Sequence, residues 1–198
     1  MIYSSDKNDS PINVVFENKY VRIVESIPGK VDGAFYFVGN RKVEVIEKHS
    51  DSLCTGGSAL AVSESGKICL VKQFRASFDK YVWEIPRGGS EIGDKVYETG
   101  VREFLEETGV PGYLILDIVP MGRIASDSGI FHNLSGMVFI KVSDEAMEYC
   151  GEEAGDHEVV DVQWFSVDEV LESFEKEDGI IDAFTQLAVY KAMAKGFI

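Results

Sequence analysis

Three glutamates, Glu103, Glu106 and Glu107, follow closely on a glycine-bearing stretch, Gly88-Gly89-Ser90-Glu91-Ile92-Gly93-Asp94. At about 100° per residue of helix they share one stripe, while Tyr97, Val101, Phe104 and Leu105 occupy the opposite side. This spacing predicts an amphipathic helix whose carboxylates converge outward. Like charges one turn apart cost a helix about 0.2–0.5 kcal/mol per pair, and a bound cation would offset that repulsion. An all-oxygen donor set suits magnesium, manganese or calcium better than zinc. A neighbouring glycine loop lets a phosphorylated ligand approach the backbone. Spacing alone does not distinguish this chemistry from a solvated acidic helix face.

The elements that must position these groups follow from periodicity. Residues 95–108 carry the helical pattern, with Asp94 as an N-cap and Gly109 where the helix stops. Gly100 within it should cost about 1 kcal/mol relative to alanine. Upstream, residues 59–62 and 67–74 flank Ser63-Glu64-Ser65-Gly66, a hairpin signal, and residues 81–85 form a strand stopped by Pro86. Downstream, strands are expected at 114–119, 135–142 and 159–165, with an acidic solvated loop over 143–157. Ser166 and Glu169 make a capping box for a helix reaching Phe174, and a last helix covers 182–195 before Gly196. Ahead of all these, strand-like runs at 12–27 and 34–46, the second broken at Gly39-Asn40, form an N-terminal β extension. The chain thus divides into an extension over 1–54 and a main α/β sandwich domain over 55–198.

Composition narrows the partners. Nineteen basic and thirty-four acidic side chains give a formal charge of −15, so nucleic acids and anionic membranes should be repelled. A small phosphorylated substrate remains compatible, because cations held by clustered carboxylates reverse the local potential. Cys54, Cys69 and Cys150 are odd in number and lack zinc or disulfide spacing, which fits a reducing cytosol. No stretch approaches the ~18 apolar residues of a membrane span, and no leader pattern opens the chain, so a cytoplasmic location is expected.

The segment from Gly88 to Val110 resembles the Nudix box: Gly, five residues, Glu, seven residues, then Arg-Glu-apolar-any-Glu-Glu-any-Gly-apolar. Every defined position is met except one, where Asp94 replaces Glu. The likeness continues through Val71-Lys72-Gln73-Phe74-Arg75 and Trp83-Glu84-Ile85-Pro86-Arg87-Gly88, which are similar to the branch cleaving ADP-ribose and other nucleoside diphosphate sugars. The resemblance implies an α/β/α sandwich with a mixed sheet, a magnesium or manganese cofactor and a nucleotide-type diphosphate substrate. It also implies a homodimer built through the β extension.

Carried over residue by residue, the resemblance places metal ligands at Glu103 and Glu107, with Glu106 contributing and the Arg87 carbonyl completing the shell. Arg75, Glu84 and Gly88 become substrate contacts. Arg75 is otherwise a surface ion pair and Glu84 an exposed charge on a strand edge. Arg102 joins the catalytic set by bracing the loop through Asp94. The general base falls on the loop at Glu158, with Asp156 and Glu153 as neighbouring alternatives and Glu103 as the candidate on the helix. His132 and His157 lack a partner and read as surface or hydrogen-bonded residues. Ser128 stands where ADP-ribose-cleaving members carry a proline, which weakens that particular substrate. The alternative reading is a Nudix-fold module that binds a nucleotide sugar without cleaving it, favoured by Asp94, Gly100 and Ser128.

Overall fold

The computed structural model describes residues 13–17, 21–27, 30–36, 56–91, 94–95, 97–127, 131–132, 134–149 and 159–198. The main sheet is built from β4 (Gly56–Ser63), β5 (Lys67–Arg75), β8 (Ile115–Ile124), β10 (Ser135–Val142) and β11 (Val159–Ser166), in the order β11-β5-β4-β10-β8. β4 and β10 run parallel and the other pairs antiparallel, so the sheet is mixed. β4 and β5 are registered at Val62↔Ile68. Beyond that point β5 runs against β6 (Lys80–Glu84), and β4 against the short β7 (Arg87–Gly89). The chain crosses between these two strands through Ile85-Pro86, and the Pro86 carbonyl accepts the Ala59 N–H at 3.0 Å. This crossing delivers Arg87 and Gly88 to the middle of the sheet.

Alternation along the central strands builds two cores. On one face Leu60, Val62, Ile68, Leu70, Met137 and Phe139 pack against α2 (Val167–Phe174) and α3 (Ala183–Lys195). On the other, Ala59, Ala61, Cys69, Val71, Val138 and Ile140 pack against Phe104 of α1 (Glu98–Thr108). The result is an α/β/α sandwich. Each large apolar side chain buried here contributes about 1.5–3 kcal/mol. β1 (Asn13–Glu17), β2 (Val21–Ile27) and β3 (Lys30–Tyr36) form a separate sheet with β9 (Phe131–His132), in the order β1-β2-β3-β9. Gly39-Asn40 lies outside the described residues. Among the described residues no helix is long and apolar enough to cross a membrane.

The helix ends depart from expectation only at the start of α1. Its N-cap is Tyr97, with no side-chain cap, whereas Asp94 is engaged in the preceding loop. Gly109 closes the helix at φ 71°, where a glycine is favoured. Ser166 and Glu169 form the anticipated capping box, and Asp182 and Gly196 bound α3.

The expected propensity cost of Gly100 has a structural reason. A Cβ there would lie 2.6 Å from the Ser58 carbonyl oxygen, and one at Gly57 would lie 2.5 Å from Gly100 N. Helix and strand backbones therefore meet with no room for a side chain. Gly100→Ala should lower stability by about 1–3 kcal/mol despite alanine's better helix propensity. Chemical denaturation checks the sign, and a raised midpoint would show that propensity governs the position instead.

Candidate functional site

The close approach of α1 to β4 and β7 reverses one expectation about the acidic stripe. Glu103 and Glu107 face inward and are buried at 8% and 2% exposure, while Glu106 alone is exposed. The stripe faces the sheet where the strands offer glycine and main-chain donors, so the apolar moment misjudges its direction. Gln73 of β5 donates to Glu107 Oε1 at 2.6 Å, and the Arg87 main-chain N–H donates to Glu107 Oε2 at 3.1 Å. A Cβ at Gly88 would fall 2.3 Å from the Glu103 carboxyl carbon, so a side chain here would displace the Glu103 carboxylate. Arg102 pairs with Glu103 and with Glu106, both at 2.8 Å.

A second buried carboxylate sits beside the first. Glu84 is 1% exposed rather than an edge charge, and Arg75 binds its Oε1 while Arg87 binds its Oε2 at 2.9 Å. Arg87 continues to Asp182, the N-cap of α3, at 3.1 Å and lies over the Phe184 ring at 4.9 Å. Burial alone would lower the Arg87 pKa, but Asp182 and then Glu84 outweigh it and hold it above the ordinary arginine value. Arg87 thus works at two ends: its amide holds Glu107, and its guanidinium ties the β6–β7 crossing to α3.

With this geometry in place, the comparison with known families is specific: residues 56–185 match the NUDIX domain. The chain belongs to the Nudix family. An ADP-ribose pyrophosphatase of Bacillus subtilis (strain 168) is 39% identical over 71 residues, covering 36% of this chain and 36% of that protein. The match thus spans about a third of that relative's length. The methanol dehydrogenase activator of Bacillus methanolicus is 26% identical over 180 residues, covering 88% of this chain and 92% of the relative.

In this chain's Nudix box the substituted position, Asp94, stays useful in a changed way. Its Oδ2 accepts the Glu91 N–H and the Thr99 hydroxyl, each at 2.9 Å, but lies 3.7 Å from Arg102. Arg102 instead donates to the Gly89 carbonyl at 2.7 Å, so the loop is tied to the helix by two separate links. Burial would lower the Arg102 pKa, yet Glu103 and then Glu106 raise it.

Nudix proteins generally use divalent cations, and the donors here fit one. Glu103 and Glu107 lie on the same helix face beside the Arg87–Gly88 backbone, an oxygen-rich setting for a hard dication. Among the described residues no three His, Cys, Asp or Glu side chains are gathered into a ready shell. Glu106 in particular is turned to Arg102, so its joining a cation means releasing that pair. Glu158, Asp156, Glu153, His157 and Ser128 lie outside the described residues, as does the side chain of His132.

Three participants escaped sequence reasoning. Gln73 entered only as part of the Val71–Arg75 likeness, Asp182 only as the first residue of the last helix, and Thr99 was given no role in the site. Only Gln73's place between Val71 and Arg75, on one strand face, hinted at its direction.

Asp94 titrates below the ordinary aspartate range, chiefly because it accepts the Glu91 N–H; burial opposes this, and the Thr99 hydroxyl and Arg102 add to the lowering. A depressed folded pKa gives stability above the unfolded value that is lost as pH falls through the folded one. Asp94→Asn should therefore lower the melting temperature most at neutral pH, with the gap narrowing as pH falls below the ordinary aspartate range. Melting curves across that range measure it; a gap independent of pH would assign the loop brace to other groups.

Proposed function

We propose that this protein is a divalent-cation-dependent diphosphatase acting on a nucleoside diphosphate derivative of the ADP-ribose or nucleotide-sugar type. The observation that carries the reading is the burial of Glu103 and Glu107 on one helix face against Arg87 and Gly88. Two carboxylates gathered at one place, one paired with Arg102 and the other oriented by amide donors, suit a hard dication. Magnesium, or manganese, held by Glu103, Glu107, the Arg87 carbonyl and a released Glu106 would neutralise the diphosphate and make water acidic enough to react.

The remaining work falls to the chain's own residues. Arg75 keeps 29% of its side chain exposed while bound to Glu84, and a guanidinium has five N–H donors, so it can bind an anion without leaving that pair. Glu84 aims Arg75 at the diphosphate, and Gly88 leaves the backbone open beside Glu103. A water oxygen bonds to one phosphorus, the bridging P–O bond breaks, and two phosphomonoesters depart. Glu158 takes the water's proton. Support for that assignment comes from register: Val159, the next residue, is paired with Gln73, which holds Glu107. Glu103 is the alternative base, and Arg102 steadies it. The N-terminal sheet serves as the layer of a homodimer, and the protein works in the cytoplasm.

A second reading has its own support, because the match to the methanol dehydrogenase activator runs over 88% of the chain. On that reading the protein binds its nucleotide ligand and acts on a dehydrogenase partner.

Purified protein offered ADP-ribose, nucleotide sugars, dinucleoside polyphosphates and NADH with magnesium should release monoesters from at least one class. Chelation should abolish turnover and added magnesium or manganese restore it; undiminished turnover in excess chelator would remove the metal mechanism. Glu107→Gln should lose most activity while remaining folded, and a folded wild type inert on every substrate with several metals would favour the activator reading.

The base is tested separately. Glu158→Gln should lower kcat with little change in KM or metal affinity, the pattern of an interaction used mainly in the transition state. Asp156→Asn and Glu153→Gln should be milder. If Glu103→Gln loses both catalysis and metal binding while all three loop variants stay near wild type, the base belongs to the helix.

A further inference from the structure

We infer that Gln73 is a positioning residue that sets the Glu107 carboxylate for the cation; this rests on the reading of Glu107 as a metal ligand given above. Gln73 is 3% exposed and its amide nitrogen lies 2.6 Å from Glu107 Oε1. The direction of that bond is fixed by chemistry, since an ionised carboxylate only accepts and the amide oxygen cannot donate. Its backbone is pinned on both sides, opposite Val159 in β11 and Val82 in β6. The amide therefore starts from a rigid strand and needs little further ordering to hold its partner.

The choice of donor matters. Nearby Glu84 is bound by two guanidinium groups, whose charge neutralises it. Gln73 and the Arg87 N–H bind Glu107 as uncharged donors, one to each oxygen. Each carboxylate oxygen has a further lone pair, so these two bonds orient the group without themselves neutralising it. A lysine or arginine at residue 73 would hold the same oxygen and cancel the charge that attracts the metal. Groups that orient a metal-holding carboxylate in this way commonly change metal affinity by about 10–100-fold when removed.

The test uses the full chain and manganese alone as probe, with binding read by electron paramagnetic resonance of free Mn2+. Gln73→Met keeps the side chain's length and removes the donor. It should bind manganese about 10-fold more weakly, and it should add no further loss in a Glu107→Gln background. Melting in chelator establishes that each variant is folded. If Gln73→Met does not fold, the side-chain amide resonance of Gln73 in the wild type supplies the answer: it should shift on magnesium addition, and no shift at saturating magnesium overturns the inference. Wild-type manganese affinity in folded Gln73→Met, or an equal loss with and without Glu107, also overturns it and leaves the hydrolase reading intact. Weakened manganese binding in a protein that cleaves none of the substrates supports the positioning role and removes the hydrolase reading alone.

Discussion

The backbone-to-backbone approach of α1 to β4 and β7 is the constraint from which the rest of the site follows. Glycines at 57, 88 and 100 each stand where a Cβ would lie under 3 Å from a neighbouring atom. With that spacing, a helix face that looks solvent-directed by its pattern lies against the sheet, and Glu103 and Glu107 have main-chain N–H groups and a strand amide within reach. A methyl group at 57 or 100 would push the helix out and draw Glu107 away from Gln73 and the Arg87 N–H, and one at 88 would displace the Glu103 carboxylate itself. Packing at van der Waals distance is thus a condition of the electrostatics here.

The same region treats two buried acids differently. Glu84 lies between Arg75 and Arg87, and Arg87 continues to Asp182, so two positive and two negative groups balance without any ligand. That balance locks the β6–β7 crossing to the start of α3 and fixes where the Arg87 amide points. The Arg87 N–H then holds Glu107. One ion-pair group therefore acts as a fixed mount for an acid of another kind, whose held oxygens still carry charge. The chain's overall charge of −15 makes the local arrangement more telling, because long-range repulsion already disfavours further buried acids.

Much of this was legible from residue order. The strand–helix–strand succession, the hairpin at 63–66, the capping box at Ser166 and the glycine stops at 109 and 196 are local signals, and local signals survive folding. The stripe of Glu103, Glu106 and Glu107 was also readable as a stripe. Its direction was not, because helical periodicity ranks residues by polarity and assumes water on the polar side; the close glycine contact supplies protein donors there instead. Glu84 was singled out, but its burial was not readable, since the arginines that bury it are separated from each other by a strand turn and a crossing. Asp94 was read as a shortened Glu and as the helix cap, yet Thr99, in the first turn of the helix, gives it a new partner. Long-range partners such as Gln73 for Glu107 and Asp182 for Arg87 leave no periodic trace at all.

The fate of the acids also bears on what the protein does with a ligand. Replacing a buried ion pair as a whole by apolar residues of similar volume is often neutral or stabilising by about 1–4 kcal/mol, whereas removing one partner leaves the other uncompensated. A module that needed only the Nudix shape to bind a partner would have no use for Glu103 and Glu107, and could replace them together with Arg102 and Gln73, the side chains that hold them. This chain retains both carboxylates, the glycine that makes room for one and the neutral donors that orient the other. The name of an activator states an effect on a partner and leaves the chemistry open, so the long match to that relative and the preserved acids are compatible. What the acids add is a physical cost at one place in the fold, and on the proposed reading a cation together with an anionic diphosphate is the ligand pair whose binding would offset it.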